Sequence, residues 1–160
     1  MKVFKFGGAS VKDADGLKNV LQVVKTAGEG NVLLVISAMG KTTNALEEVI
    51  KNYFNKSAEL QASIQEVKKY HNQILMELFE DESNDAFFAV NSLFADLEYF
   101  IRSNKSPNYN FVYDQIVSFG ELISTTIVSH YFNENGIKNN WLDVRNFIKT
   151  DTTYRDAIVD

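Results

Sequence analysis

Residues 31–37, NVLLVIS, form an unalternating apolar run rich in β-branched residues, which predicts a strand buried on both faces of a parallel sheet. The segment before it supplies the crossover that a parallel neighbour requires. Residues 13–27 carry Leu17, Val20, Leu21 and Val24 at helical spacing, opened by acidic residues and closed by Gly28 and Gly30. Residues 1–6 read as a first strand, with Val3, Phe4 and Phe6 apolar and Lys5 set among them. Residues 1–37 are therefore expected to form a strand-helix-strand unit, and the fold class is α/β with a mostly parallel sheet.

Between the first strand and its helix stands Lys5-Phe6-Gly7-Gly8-Ala9-Ser10-Val11. Paired glycines permit unusual backbone angles and leave no Cβ to block a ligand, so the turn can cradle an anion. Simple chain reversal would use the same glycines. A lysine inside an otherwise apolar strand, however, asks for a reason to be there. The second strand empties into Ser37-Ala38-Met39-Gly40-Lys41-Thr42-Thr43-Asn44, rich in hydroxyls and amides and placed where open α/β sheets bind ligands. Thr42 or Thr43 can cap the next helix, whose apolar positions are Leu46, Val49, Ile50, Tyr53 and Phe54. Gly40-Lys41-Thr42 imitates the tail of a Walker A loop, but that pattern needs a glycine where Val35 stands.

Residues 57–102 read as two helices separated by 81–85, an insertion whose apolar and aromatic residues suit core packing or a subunit contact. A polar loop, 103–110, contains the only proline, Pro107. A helix over 111–119 is expected to break at Gly120, with Glu121 opening a further helix to about Phe132. A carboxylate there could simply complement the helix dipole. Residues 138–144 around Trp141 read as a third strand and Phe147-Ile148 as a possible fourth. Three or four strands set against at least five helices, with a polar run over 151–160, predict a truncated piece.

With sixteen Lys and Arg against twenty-one acids, a net charge of −5 and no basic cluster, a nucleic-acid footprint is not expected. The absence of cysteine excludes disulfides and thiolate chemistry, and His71 and His130 are too far apart in sequence for a promising metal set, so no metal site is assigned and both are read as structural. The N-terminus has no apolar signal region, no membrane partner is expected, and a cytoplasmic location is the default.

The opening K-F-G-G-x-S-V, the S-A-x(4)-T-N loop from Ser37 to Asn44, the S-x-G-E run from Ser118 to Glu121 and the segment Trp141 to Arg145 resemble, in order and spacing, the aspartokinases of the amino-acid kinase superfamily. Ala9 departs from that pattern, which usually has Thr or Ser. The resemblance implies a three-layer α/β/α amino-acid kinase fold, of which residues 1–160 would be the N-terminal, aspartate-binding lobe with a helical insertion at about 57–102. It implies phosphorylation of the side-chain carboxylate of L-aspartate by ATP, with Mg2+ bound to the nucleotide, in an enzyme that is a homo-oligomer at full length. Lys5 would be catalytic, and Lys5, Gly7, Gly8 and Ser10 would contact the phosphates. Ser37, Thr43, Asn44 and Glu121 would hold the aspartate. The nucleotide lobe and ACT domains would lie outside the chain, leaving this piece inactive alone. Another amino-acid kinase, or a non-enzymatic amino-acid-binding domain, are the alternatives.

Overall fold

The computed structural model describes residues 1–28 and 31–159. Strand β1 (Lys2–Phe6) leads through a 3-10 turn (Gly8–Val11) into helix α1 (Ala14–Thr26) and strand β2 (Val32–Ile36). Helices α2 (Thr42–Phe54), α3 (Leu60–Leu78), α4 (Asp85–Ser103) and α5 (Tyr109–Glu134) follow, then a 3-10 turn at Val144–Asn146. The strands pair in parallel, Lys2 opposite Val32 and Phe6 opposite Ile36, so the expected strand-helix-strand unit is present. Gly30, expected to help close the first helix, lies outside the described residues, as does Asp160.

Local chemistry accounts for the helix starts. Asp13 caps α1 by accepting from the Gly16 amide (2.8 Å), Asn84 caps α4 by accepting from Ala86, and Asn108 caps α5 by accepting from Phe111. Leu17, Val20, Leu21 and Val24 of α1 enter one core with Phe6, Leu34 and Ile36 from the strands, Leu46, Val49 and Ile50 from α2, and Ile64, Val67, Ile74 and Leu75 from α3. Residues 57–102 hold the expected helical pair, and Val90, Phe94 and Leu97 of α4 are fully buried in that core.

Five expectations fail, each for a visible reason. β2 is buried on one face only: Leu33 and Val35 are 42% and 46% exposed, because nothing among the described residues covers the side they share with Val3 and Lys5. Neither threonine caps α2, since Thr42 already lies in its first turn and donates its hydroxyl to the Met39 carbonyl at 2.6 Å. Gly120 does not break a helix: α5 runs through it, because the missing side chain is used for packing. The strand expected at 138–144 does not form. Asn139 is tied to the end of α5 by bonds to Ser129 and Ile137, and Trp141 donates to Thr125 at 2.8 Å, which holds the segment on the helix instead of a sheet edge. Phe147 and Ile148 donate to Val144 in a turn, and the nearby pairing is a single antiparallel bridge, Thr150 to Val159.

The structural reading of His71 holds: it is wholly buried, with Nδ1 donating to the Val67 carbonyl at 2.8 Å. Burial pushes its pKa down to about 4, against the backbone bond that favours the charged form. A histidine whose folded value lies below its unfolded value, near 6.5, stabilises the fold above that value and loses the contribution as pH falls toward the folded value. We expect stability to drop by roughly 1.4 kcal/mol per pH unit between about pH 6 and pH 4.5. Urea unfolding at pH 7.5 and 5 is the measurement, and equal midpoints would show that His71 titrates normally.

Candidate active site

The two strands part after the Ser37 amide donates to the Phe6 carbonyl at 3.1 Å, and the polar residues of interest fill the mouth that opens there. On the β1 side, Gly7 is extended (φ −78°, ψ 167°) and its carbonyl accepts from the Ser10 amide at 2.9 Å, closing the 3-10 turn. A Cβ built on Gly7 would stand 3.4 Å from the Lys5 Nζ, so the ammonium curls back along the turn. Among the described residues, Lys5 has no ion pair and no hydrogen-bond acceptor, whereas Lys12, Lys18 and Lys51 are each matched to a carboxylate. An unmatched cation beside an open glycine is suited to an anion.

The second glycine serves a different purpose. A side chain on Gly8 would meet the Ala38 carbonyl at 2.7 Å and the Gly40 carbonyl at 2.9 Å. Only glycine lets the turn come this close to the β2 loop, and the Gly40 amide seals the contact by donating to the Gly8 carbonyl at 3.0 Å. Gly40 itself takes φ +54°.

Helix α5 closes the mouth from the other side. A Cβ on Gly120 would stand 2.9 Å from the Ala38 Cβ and 3.4 Å from side-chain atoms of Leu46 and Thr42, so one turn of α5 packs backbone-close on the β2 exit and on α2. That docking aims two side chains. Glu121 Oε1 accepts from the Ala38 amide at 3.2 Å, and Ser124 Oγ donates to the Ser37 carbonyl at 2.7 Å. Glu121 lies in the middle of α5, which removes the alternative that it merely complements a helix dipole. The residue is exposed, and its other carboxylate oxygen has no protein partner among the described residues.

Lys5, Gly7, Gly8, Ser37 and Glu121 thus converge on the strand ends. Ser10 is exposed within the turn, and Thr43 is half-buried in the first turn of α2. Asn44 is directed elsewhere, lining an open groove of about 600 Å³ with Glu47, Tyr113 and Arg155. The buried Ser124 was not singled out as a site residue; the signal for it is a hydroxyl one helical turn after the carboxylate. In the Trp141 segment, the Arg145 guanidinium grips Asp143 with two nitrogens and holds its carboxyl below the usual carboxylate range. Among the described residues no three His, Cys, Asp or Glu side chains cluster to hold a metal ion, and no helix is long and apolar enough to cross a membrane.

A model of the amino acid kinase family matches residues 1–159. Aspartokinase 1, chloroplastic, of Arabidopsis thaliana is 32% identical over 157 residues, covering 93% of this chain and 26% of that protein. The aspartokinase of Chlamydia trachomatis is 28% identical over 158 residues, covering 99% of this chain and 34% of that protein. Among solved structures, Escherichia coli aspartokinase III in complex with lysine and aspartate superposes with a TM-score of 0.86 at 25% identity, over the whole of this chain and 35% of that one. The chain spans about a quarter to a third of the length of these proteins.

The packing at Gly120 yields a stability prediction. In an exposed helix Gly→Ala gains up to about 1 kcal/mol, but here the new methyl meets Ala38 at 2.9 Å, and overpacking costs roughly 1–3 kcal/mol. Gly120→Ala is expected to lower the urea midpoint. A raised midpoint would mean that the α5 contact is loose.

Proposed function

The chain belongs to the amino acid kinase family, and from that premise we propose that it is the aspartate-binding part of an aspartate kinase, which uses ATP to convert L-aspartate to 4-phospho-L-aspartate at the entry to lysine, threonine and methionine biosynthesis. The observation that carries this reading is the pairing, across one mouth, of an unmatched lysine on a glycine turn with a carboxylate fixed to the opposite loop. One half suits a phosphate; the other suits the ammonium of an amino acid.

In this reading Lys5 and the Gly7 and Gly8 amides contact the transferring phosphoryl group, with Ser10 at the rim. Ser37 and Thr43 hold the aspartate from the β2 loop, and Glu121 binds its α-ammonium with the oxygen not engaged by Ala38; Asn44, which lines the neighbouring groove, takes no part. A side-chain carboxylate oxygen of aspartate attacks the γ-phosphorus, the bond from phosphorus to the β,γ-bridging oxygen breaks, and ADP departs with the electron pair. No proton need move. The difficulty is repulsion between a carboxylate and a polyanion, so positioning and charge neutralisation carry the rate. Mg2+ would arrive on the nucleotide phosphates and offset their charge. Lys5, whose ammonium lies 3.4 Å from a vacant Cβ position and has no described partner, fits a phosphate oxygen.

We assign residues 1–160 to one lobe, and a nucleotide-gripping lobe and regulatory ACT domains to other parts of a longer, homo-oligomeric protein of the cytoplasm. The greater length of the relatives supports that assignment.

Two substitutions in the full-length protein test the roles. Removing one preorganised charge-stabilising group typically costs about 10² to 10³ in kcat, the loss expected for Lys5→Ala. Lys41→Ala, which removes the Walker-like lysine, should be near neutral. Glu121→Ala should raise the aspartate KM by roughly tenfold or more, the usual cost of losing a hydrogen bond to a charged group, with little change in the ATP KM. A shift in the ATP KM alone would invert the assignment.

A further inference from the structure

Helix α3 belongs to the insertion to which the sequence assigned only packing, yet two adjacent residues on it reach the loop between the strand ends. The Tyr70 hydroxyl donates to the carbonyl of Lys12, at the end of the glycine turn. The same oxygen would stand 2.5 Å from a Cβ on Gly40, so Tyr70 lies directly against the β2 loop. Burial and the nearby Asp13 carboxylate raise its pKa, which keeps the phenol protonated and able to donate. On the inner side, His71 is fully buried, its Nδ1 donates to Val67, and its Nε2 stands 3.3 Å from the Thr42 hydroxyl. Thr42 is itself buried and donates to the Met39 carbonyl. Because the Val67 carbonyl can only accept, the proton sits on Nδ1, and the one Thr42 hydroxyl proton is shared between the Met39 carbonyl at 2.6 Å and the more distant Nε2 at 3.3 Å.

We propose that Tyr70 and His71 are positioning residues that brace the Met39–Thr42 loop, Tyr70 by packing on Gly40 while its hydroxyl bonds the end of the glycine turn, and His71 by its contact with the Thr42 hydroxyl. The brace sets the spacing between the two halves of the mouth. The Gly8–Ala38 approach and the bond from the Gly40 amide to the Gly8 carbonyl already fix the near end of the loop, where it leaves β2. Two further anchors, both from one rigid helix, leave a single geometry. A pure packing role would need neither hydroxyl nor imidazole, since phenylalanine and leucine would fill the same volumes. The link to aspartate binding rests on the function proposed above; the brace itself does not.

The test is amide hydrogen exchange in the full chain, with the Gly40 and Thr42 amides as loop reporters and Leu97 and Ile123 as core reporters. Tyr70→Phe keeps the ring and removes the hydroxyl; His71→Asn keeps a donor for Val67 and cannot reach Thr42. Thr42→Val should reproduce His71→Asn, and combining the two should add little because they remove the same contact. Each single change is expected to speed loop exchange by roughly three- to tenfold, the worth of one hydrogen bond, with core exchange unchanged. Loop exchange that stays at the wild-type rate, or rises only in step with the core, overturns the proposal. Tyr70→Phe decides the matter even if His71→Asn fails to fold. Calorimetry with aspartate separates the two readings: if the wild-type chain binds aspartate and Tyr70→Phe binds it equally well, the brace does not serve the site. If the wild type does not bind it, the aspartate reading falls, and the exchange rates alone judge the brace.

Discussion

Ala38 is a point at which three distant segments are drawn together. Its carbonyl faces Gly8, its methyl faces Gly120, and its amide is held by Glu121. Three segments far apart in the chain meet there at distances that admit no side chain on either glycine, and the hydrogen bonds from Ser124 and Gly40 lock them. A close backbone approach of this kind is stiff, because interiors are packed to crystal-like density and cannot yield without moving whole elements. The candidate site therefore inherits its geometry from this contact, and the phosphoryl transfer we propose would need that stiffness, since its rate would depend on register between two anions more than on any single reactive group.

The same contact explains how much could be read from the sequence. Strand-helix-strand order and the helical pair are local, and local patterns are legible. Lys5 and Glu121 could be named because their motifs are compact. Gly120 was misread as a helix break because a glycine in a helix looks the same whether it ends the helix or admits a neighbour. Only the Ala38 methyl at 2.9 Å distinguishes the two. The strand expected at Trp141 failed for a related reason: its residues have strand-forming character, but α5 offers Thr125 and Ser129 as partners before any sheet edge does. Tyr70 and His71 were illegible as site residues because their relevance depends on the register of α3 against a loop nearly thirty positions earlier.

Asn44 and Glu121 show the limit of carrying roles by motif. Both sit in compact patterns, yet the fold turns Glu121 into the mouth and directs Asn44 to the groove beside Tyr113. Spacing specifies which residues leave a strand together; the first turn of the following helix then decides where each points, with successive positions rotated by about 100°. Thr42, Thr43 and Asn44 are accordingly buried, half-buried and exposed in turn.

Lys5 draws its strength from what surrounds it. Val3, Leu33 and Val35 lie on the same face of the sheet as Lys5 and are 57%, 42% and 46% exposed, so the lysine leaves the strand beside apolar side chains that are open to water. Two unit charges about 4 Å apart are worth about 1 kcal/mol in bulk water and about 4 kcal/mol at an effective dielectric constant near 20. The apolar neighbours matter to function through that difference. If further protein covers this face in the longer molecule, the hydrophobic burial of Val3, Leu33 and Val35 supplies the driving force, and the exclusion of water around Lys5 comes with it. Alternation along β1, with Val3 and Lys5 two residues apart, would then link one strand's packing to the leverage on a phosphate that we propose for Lys5.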